Sequence, residues 1–132
     1  MRSLVIALVL LALPLAACGG SSTTTTAAAT TATGTAPAGN TLTGTVGPGF
    51  TISLHQDGAD VTTLTAGTYS FVVSDQSAAH NFALVSPDGT STELTTVPET
   101  GSETVTIDLT AGTWTFDCQP HSTSMTGSFT VS

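Results

Sequence analysis

Residues 41–132 predict an all-β domain, a sandwich or barrel of short strands. Three observations carry that prediction. Runs rich in Val, Ile, Thr and Phe follow one another with no helical period. Gly, Pro, Asp and Ser punctuate the runs at short intervals. One turn-plus-strand unit also occurs twice: Leu64-Thr65-Ala66-Gly67-Thr68-Tyr69-Ser70-Phe71 returns 45 residues later as Leu109-Thr110-Ala111-Gly112-Thr113-Trp114-Thr115-Phe116. Two copies cannot make a solenoid, so the echo reads as two equivalent units of one sandwich.

The segments before the domain have other characters. Residues 1–17 read as an export signal, with Arg2 as a minimal positive region and an apolar run from Leu4 to Leu13 that is short for a membrane span. The run ends in Leu15-Ala16-Ala17-Cys18, which looks like a bacterial lipobox and implies cleavage before Cys18 and lipidation of its sulfur. Residues 18–40 comprise this cysteine and a stretch almost entirely of Ser, Thr, Ala and Gly that cannot form a core. That stretch reads as a disordered tether with an r.m.s. reach of roughly 25 Å.

Within the domain the expected strands are 42–46, 50–55, 61–64, 68–74, 80–86, 92–96, 103–109, 112–118 and 126–131. Turn chemistry separates them at Gly47-Pro48-Gly49, Asp57-Gly58, Ala66-Gly67, Pro87-Asp88-Gly89 and Ala111-Gly112. Side chains alternate faces along a strand. Trp114, Phe116 and Cys118 therefore share a face, Met125, Phe129 and Val131 share another, and His80, Phe82 and Leu84 form a third set. Three strand ends converge on one pole. Tyr69, Phe71, Trp114 and Phe116 read as core.

Charge and cysteine usage exclude several functions. The formal net charge is −8, with nine Asp and Glu against one basic residue, Arg2. A chain cleaved before Cys18 keeps no Lys or Arg. Nucleic-acid binding and docking to anionic lipid both need basic residues and are excluded. An acidic surface suits a basic protein partner or plain solubility. With Cys18 lipidated, Cys118 has no disulfide partner, and a lone thiol outside the cytoplasm needs something to hold it.

The chemistry concentrates in Cys118-Gln119-Pro120-His121-Ser122-Thr123-Ser124-Met125 and in His80-Asn81-Phe82. Two imidazoles, one thiolate and one thioether suit a copper ion that changes oxidation state, since imidazole serves Cu(II) and sulfur serves Cu(I). Zinc fits less well, because its structural sites use Cys and His and not Met. Pro120 would stiffen the loop by fixing its own φ. His55 has no ligand-type neighbour and reads as a surface or structural residue. No Ser-His-Asp arrangement, paired carboxylate cluster or phosphate-cradling glycine loop stands out.

These residues resemble the cupredoxin family, in particular small plastocyanin-like and amicyanin-like blue copper domains. The resemblance covers residues 50–132 and rests on His80-Asn81-Phe82, on Cys118-x₂-His121-x₃-Met125, and on the following Gly127-Ser128-Phe129-Thr130-Val131. It implies a Greek-key sandwich, one copper ion on His80, Cys118 and His121 with Met125 as a weak axial ligand, and Asn81 bonded across to the cysteine loop. The His-to-Met spacing falls between the shorter amicyanin-like and the longer plastocyanin-like loop. The implied function is single-electron transfer to redox partner proteins, with no enzyme activity, by a monomer outside the cytoplasm, held to the membrane only by its N-terminal lipid. A copper-delivery protein of the cell envelope would use the same ligands, and a metal-free spacer would need none of them.

Overall fold

A computed structural model describes residues 39–132. The expected signal, the lipidation site Cys18 and all but the end of the expected tether lie outside the described residues. Among the described residues ten strands form: β1 Thr41–Val46, β2 Ile52–Gln56, β3 Ala59–Asp60, β4 Thr63–Leu64, β5 Gly67–Asp75, β6 Ala83–Val85, β7 Ser91–Glu93, β8 Gly101–Leu109, β9 Gly112–Asp117 and β10 Thr126–Val131. They make two five-stranded sheets, in the orders β3-β2-β1-β5-β8 and β4-β10-β9-β6-β7. Each sheet contains one parallel pairing, β1 with β5 and β10 with β4, among otherwise antiparallel neighbours. Fold class is therefore as the sequence predicts, an all-β two-sheet sandwich.

Alternation does the packing. Along β5, Tyr69, Phe71, Val73 and Asp75 are buried, and the residues between them are half-buried. Leu42 and Val46 from β1, Trp114 and Phe116 from β9, and Phe129 and Val131 from β10 complete the core between the sheets. Fully burying side chains of this size is worth about 1.5–3 kcal/mol each, which makes this shared core the main force holding the sheets face to face. Phe82 stacks on Phe116 with centroids 5.7 Å apart, and carries the packing up to the pole where Cys118 lies.

The sequence echo is a structural one. Its two copies begin one central strand in each sheet, β5 and β9. The Tyr69 hydroxyl donates to the Thr65 carbonyl and the Trp114 indole N–H to the Thr110 carbonyl, both at 2.9 Å and both four residues back. Each aromatic thus buries its ring and satisfies its polar tip on its own turn. Gly112, at φ 136°, is required for a second reason: a Cβ there would lie 2.6 Å from Cγ of Pro87.

Strand boundaries differ from the pattern most at three places. The expected strand 80–86 shrinks to Ala83–Val85, and 92–96 to Ser91–Glu93. Here side chains take over the backbone bonding. The Phe82 N–H donates to Thr95 Oγ1 (2.8 Å), whose hydroxyl donates in turn to the buried carboxylate of Asp75 (2.8 Å). The Phe82 carbonyl accepts from the amides of Leu94 (2.7 Å) and Thr95 (3.2 Å). The expected strand 61–64 shortens to β4, which pairs with β10, and β3 forms just before it and pairs with β2.

Candidate metal centre

Three connections meet at one pole: the β9–β10 loop, the segment after β5, and the β1–β2 turn. The first closes on itself. The Cys118 amide donates to the Met125 carbonyl (3.0 Å), the His121 amide to the Cys118 carbonyl (2.8 Å), and the amides of Ser124 and Met125 both to the His121 carbonyl (2.9 Å). Gln119-Pro120-His121 forms a single 3₁₀ turn, with proline at its start where no amide donor is needed. The loop backbone is thus satisfied locally, and Cys118 and Met125 sit inside while His121 keeps partial exposure.

His80 arrives by a different route. After β5 the chain turns at Gln76, whose amide donates to the Val46 carbonyl (2.9 Å). The Ser77 amide then donates to Asp75 (3.1 Å) and the His80 amide to the Ser77 carbonyl (3.1 Å). His80 therefore precedes β6 rather than standing in a strand, and the expected alternation of His80, Phe82 and Leu84 is absent. Every residue from His80 to Leu84 is buried.

The result is a compact triangle of donors. Nδ1 of His80 and Nδ1 of His121 are 3.1 Å apart, and each is 3.6 Å from Sγ of Cys118. A point equidistant from all three atoms lies about 2.0 Å from each, close to metal–imidazole and somewhat short of metal–thiolate bond lengths. Cys118 is fully buried, Met125 is 1% exposed and His80 is 4% exposed. Two ring nitrogens face each other with no carboxylate in the group. At most one proton fits between them, whereas a cation would satisfy both lone pairs and the sulfur together. The donor set and its spacing therefore fit a metal ion. The structure brings His80, Cys118 and His121 together, and buries Met125 at the end of the same loop.

Asn81 locks the segments that carry His80 and Cys118 to each other. It is 1% exposed, and its Oδ1 accepts the Gln119 amide at 2.8 Å. Its Nδ2 donates to Glu93 Oε1 (2.9 Å) and to Gln119 Oε1 (3.1 Å). Gln119 Nε2 in turn donates to Ser91 Oγ (3.2 Å). A carboxylate can only accept here, so Glu93 dictates which way the Asn81 amide faces. The amide in turn fixes the peptide that follows Cys118.

Two features went unread in the sequence. One is Glu93, which looks like any strand-end carboxylate. The other is Phe50, expected only as the first residue of the strand 50–55. Phe50 instead lies in the β1–β2 turn, 67% exposed, with its ring edge-on to both imidazoles: centroids 4.9 Å from His121 and 5.7 Å from His80. A phenylalanine directly after Gly-Pro-Gly was the available signal, since such a turn has no interior for it. His55 stands apart from the cluster, with Nε2 3.0 Å from Asp60 Oδ1 across the β2–β3 hairpin.

The pole is electrically quiet. Residues 47–51, 76–80 and 118–125 contain no Asp, Glu, Lys or Arg. Asp117 precedes the loop; burial pushes its carboxyl up, and its Oδ1 is buried without a hydrogen-bond partner.

The two sheets have the cupredoxin fold. No family model and no curated protein matches the chain. Among solved structures the chain is similar to rusticyanin, a copper protein: a variant form matches with TM-score 0.52 and 23% identity over 70% of this chain and 76% of that one. Reduced rusticyanin matches at the same score and identity, over 70% and 78%. An amicyanin variant in its Cu(I) form matches at TM-score 0.47 and 13% identity, over 70% and 83%, too distant to bear on the site.

Proposed function

We propose that this chain is a type 1 blue copper protein that shuttles single electrons in the cell envelope, with His80, Cys118, His121 and Met125 as ligands. The observation that carries the proposal is the triangle of two Nδ1 atoms and Sγ, with the thioether residue buried on the same loop. Copper bound there supplies one-electron chemistry between Cu(I) and Cu(II). The protein's residues supply the rest. The self-bonded loop and the Asn81 clamp hold the donors in one arrangement through both oxidation states, which keeps reorganisation small. Four protein ligands leave no position for a substrate, so the proposal includes no catalysis.

The partly exposed edge of His121 is the proposed electron exit. It lies within an uncharged pole beside Phe50, so a redox partner would meet an apolar contact there while carboxylates elsewhere steer a basic surface toward it. Burial of three of the four donors favours a carrier that retains its metal over a protein that delivers it. The signal-like residues 1–17, Cys18 and the Ser/Thr/Ala-rich linker support an exported monomer tethered by lipid.

The test is the visible spectrum after Cu(II) is added, followed by voltammetry. An intense thiolate-to-copper band that disappears in Cys118→Ser, with reversible one-electron cycling, is the expected result. A colourless adduct would overturn the reading, and metal lost to a chelator within one redox cycle would move it to copper delivery.

A further inference from the structure

Metal must reach three buried donors from the one side where a ligand residue has exposure, the side of His121. Cys118, Met125 and His80 are all sealed in the interior. On the open side stands Phe50, its ring in T-shaped contact with both histidines, which are themselves 4.8 Å apart and T-shaped to each other. An exposed phenylalanine otherwise has no hydrophobic reason to stand there.

The turn that presents Phe50 is fixed, while its side chain is not enclosed. The Gly47 amide donates to the Thr51 carbonyl (2.8 Å) and Thr51 Oγ1 donates to the Pro48 carbonyl (3.1 Å). A Cβ on Gly47, at φ 75°, would come within 3.1 Å of Ser77 Cβ, so the turn is docked against the segment that leads to His80. With the backbone held, only rotation of the phenyl group is left to uncover the two imidazoles.

We propose that Phe50 is the gate of the metal site: its closed position blocks entry and exit of the ion between His80 and His121, and its swing sets the rate of metal exchange. The inference rests on the copper reading above and adds to it the path and the barrier. A gate acts in both directions. Removing it raises the open fraction for the empty and the loaded protein alike, so uptake and release accelerate together and the dissociation constant stays where it was. A residue that merely strengthened the bound state would change release and affinity and leave uptake alone.

The experiment is stopped-flow uptake of Cu(II) by the full chain, read by the thiolate-to-copper band, with release into excess chelator. Each T-shaped contact is of modest strength, and Phe50 is largely solvated, so Phe50→Ala should accelerate both rates by about five- to tenfold. The dissociation constant should stay within about twofold. Phe50→Trp should restore slow exchange, and Val97→Ala, at the other large exposed apolar side chain among the described residues, should exchange at the wild-type rate. Because Phe50 is exposed, Phe50→Ala should fold. Phe50→Leu, which keeps apolar bulk, is the second variant, with an intermediate rate expected. Unchanged rates in Phe50→Ala, or faster release with weaker affinity and unchanged uptake, overturn the gate alone. Failure of the wild-type chain to take up Cu(II) overturns the copper reading and the gate with it.

Discussion

Asn81→Ala should destabilise the metal-free protein substantially, although Asn81 donates no bond to a metal. The side chain is 1% exposed and makes three hydrogen bonds: from the Gln119 amide at 2.8 Å, to Glu93 at 2.9 Å and to Gln119 Oε1 at 3.1 Å. A neutral bond contributes about 0.5–1.5 kcal/mol net, and one to a charged group about 1.5–3. Glu93 is exposed and recovers water when Asn81 is gone, so the expected loss is about 2–3 kcal/mol. For a domain of this size that lowers the Tm by roughly 10–20 °C. Urea unfolding of the metal-free protein measures it directly. Asn81→Asp sharpens the test, because it keeps the acceptor for the Gln119 amide but aims a carboxylate at two oxygens. Its folded-state pKa is then raised, so its penalty is complete above that pKa and relieved as pH falls through it toward the ordinary carboxylate range. A loss below about 0.5 kcal/mol for Asn81→Ala, or an Asn81→Asp penalty independent of pH, would refute the clamp.

Other predictions follow from single contacts. Gly127→Ala should cost about 1–3 kcal/mol by overpacking, since its Cβ would lie 2.8 Å from Phe116 Cε2 and press a ring already stacked on Phe82; thermal unfolding checks this. His55→Ala should leave copper uptake unchanged and alter stability by less than about 1 kcal/mol, because its Asp60 pair is at the surface. Burial raises the Asp117 carboxyl, so the wild-type metal-free protein gains stability as pH falls through that folded pKa toward the usual carboxylate value. In Asp117→Asn that part of the pH dependence should vanish, which a pair of denaturation series against pH would reveal.

The sandwich was legible because alternation and turn chemistry act locally. Trp114, Phe116 and Cys118 alternate as the sequence requires, and the 64–71 and 109–116 echo became two matching turn-anchored aromatics. The stretch from His80 to Phe82 was not legible as irregular. What replaces its ladder is a bond from the Phe82 amide to Thr95, whose hydroxyl is itself held by Asp75, and no local pattern announces them. The Cys118, His121 and Met125 run could be read from its spacing and His80 only through the family resemblance, whereas Phe50 and Glu93 acquire meaning only from the tertiary contacts they make.

The self-closed Cys118–Met125 loop has a thermodynamic consequence. Three of the four proposed donors occupy eight consecutive residues, so a denatured chain retains most of the chelator as a short peptide. The fourth is 38 residues before Cys118. On the proposed reading copper would bind the unfolded ensemble too, and linkage would reduce the thermal protection it gives below what its native affinity alone implies. Refolding in the presence of the ion would then begin with a partial complex already formed, and the entropy left to overcome would be that of closing one long loop to bring in the last imidazole.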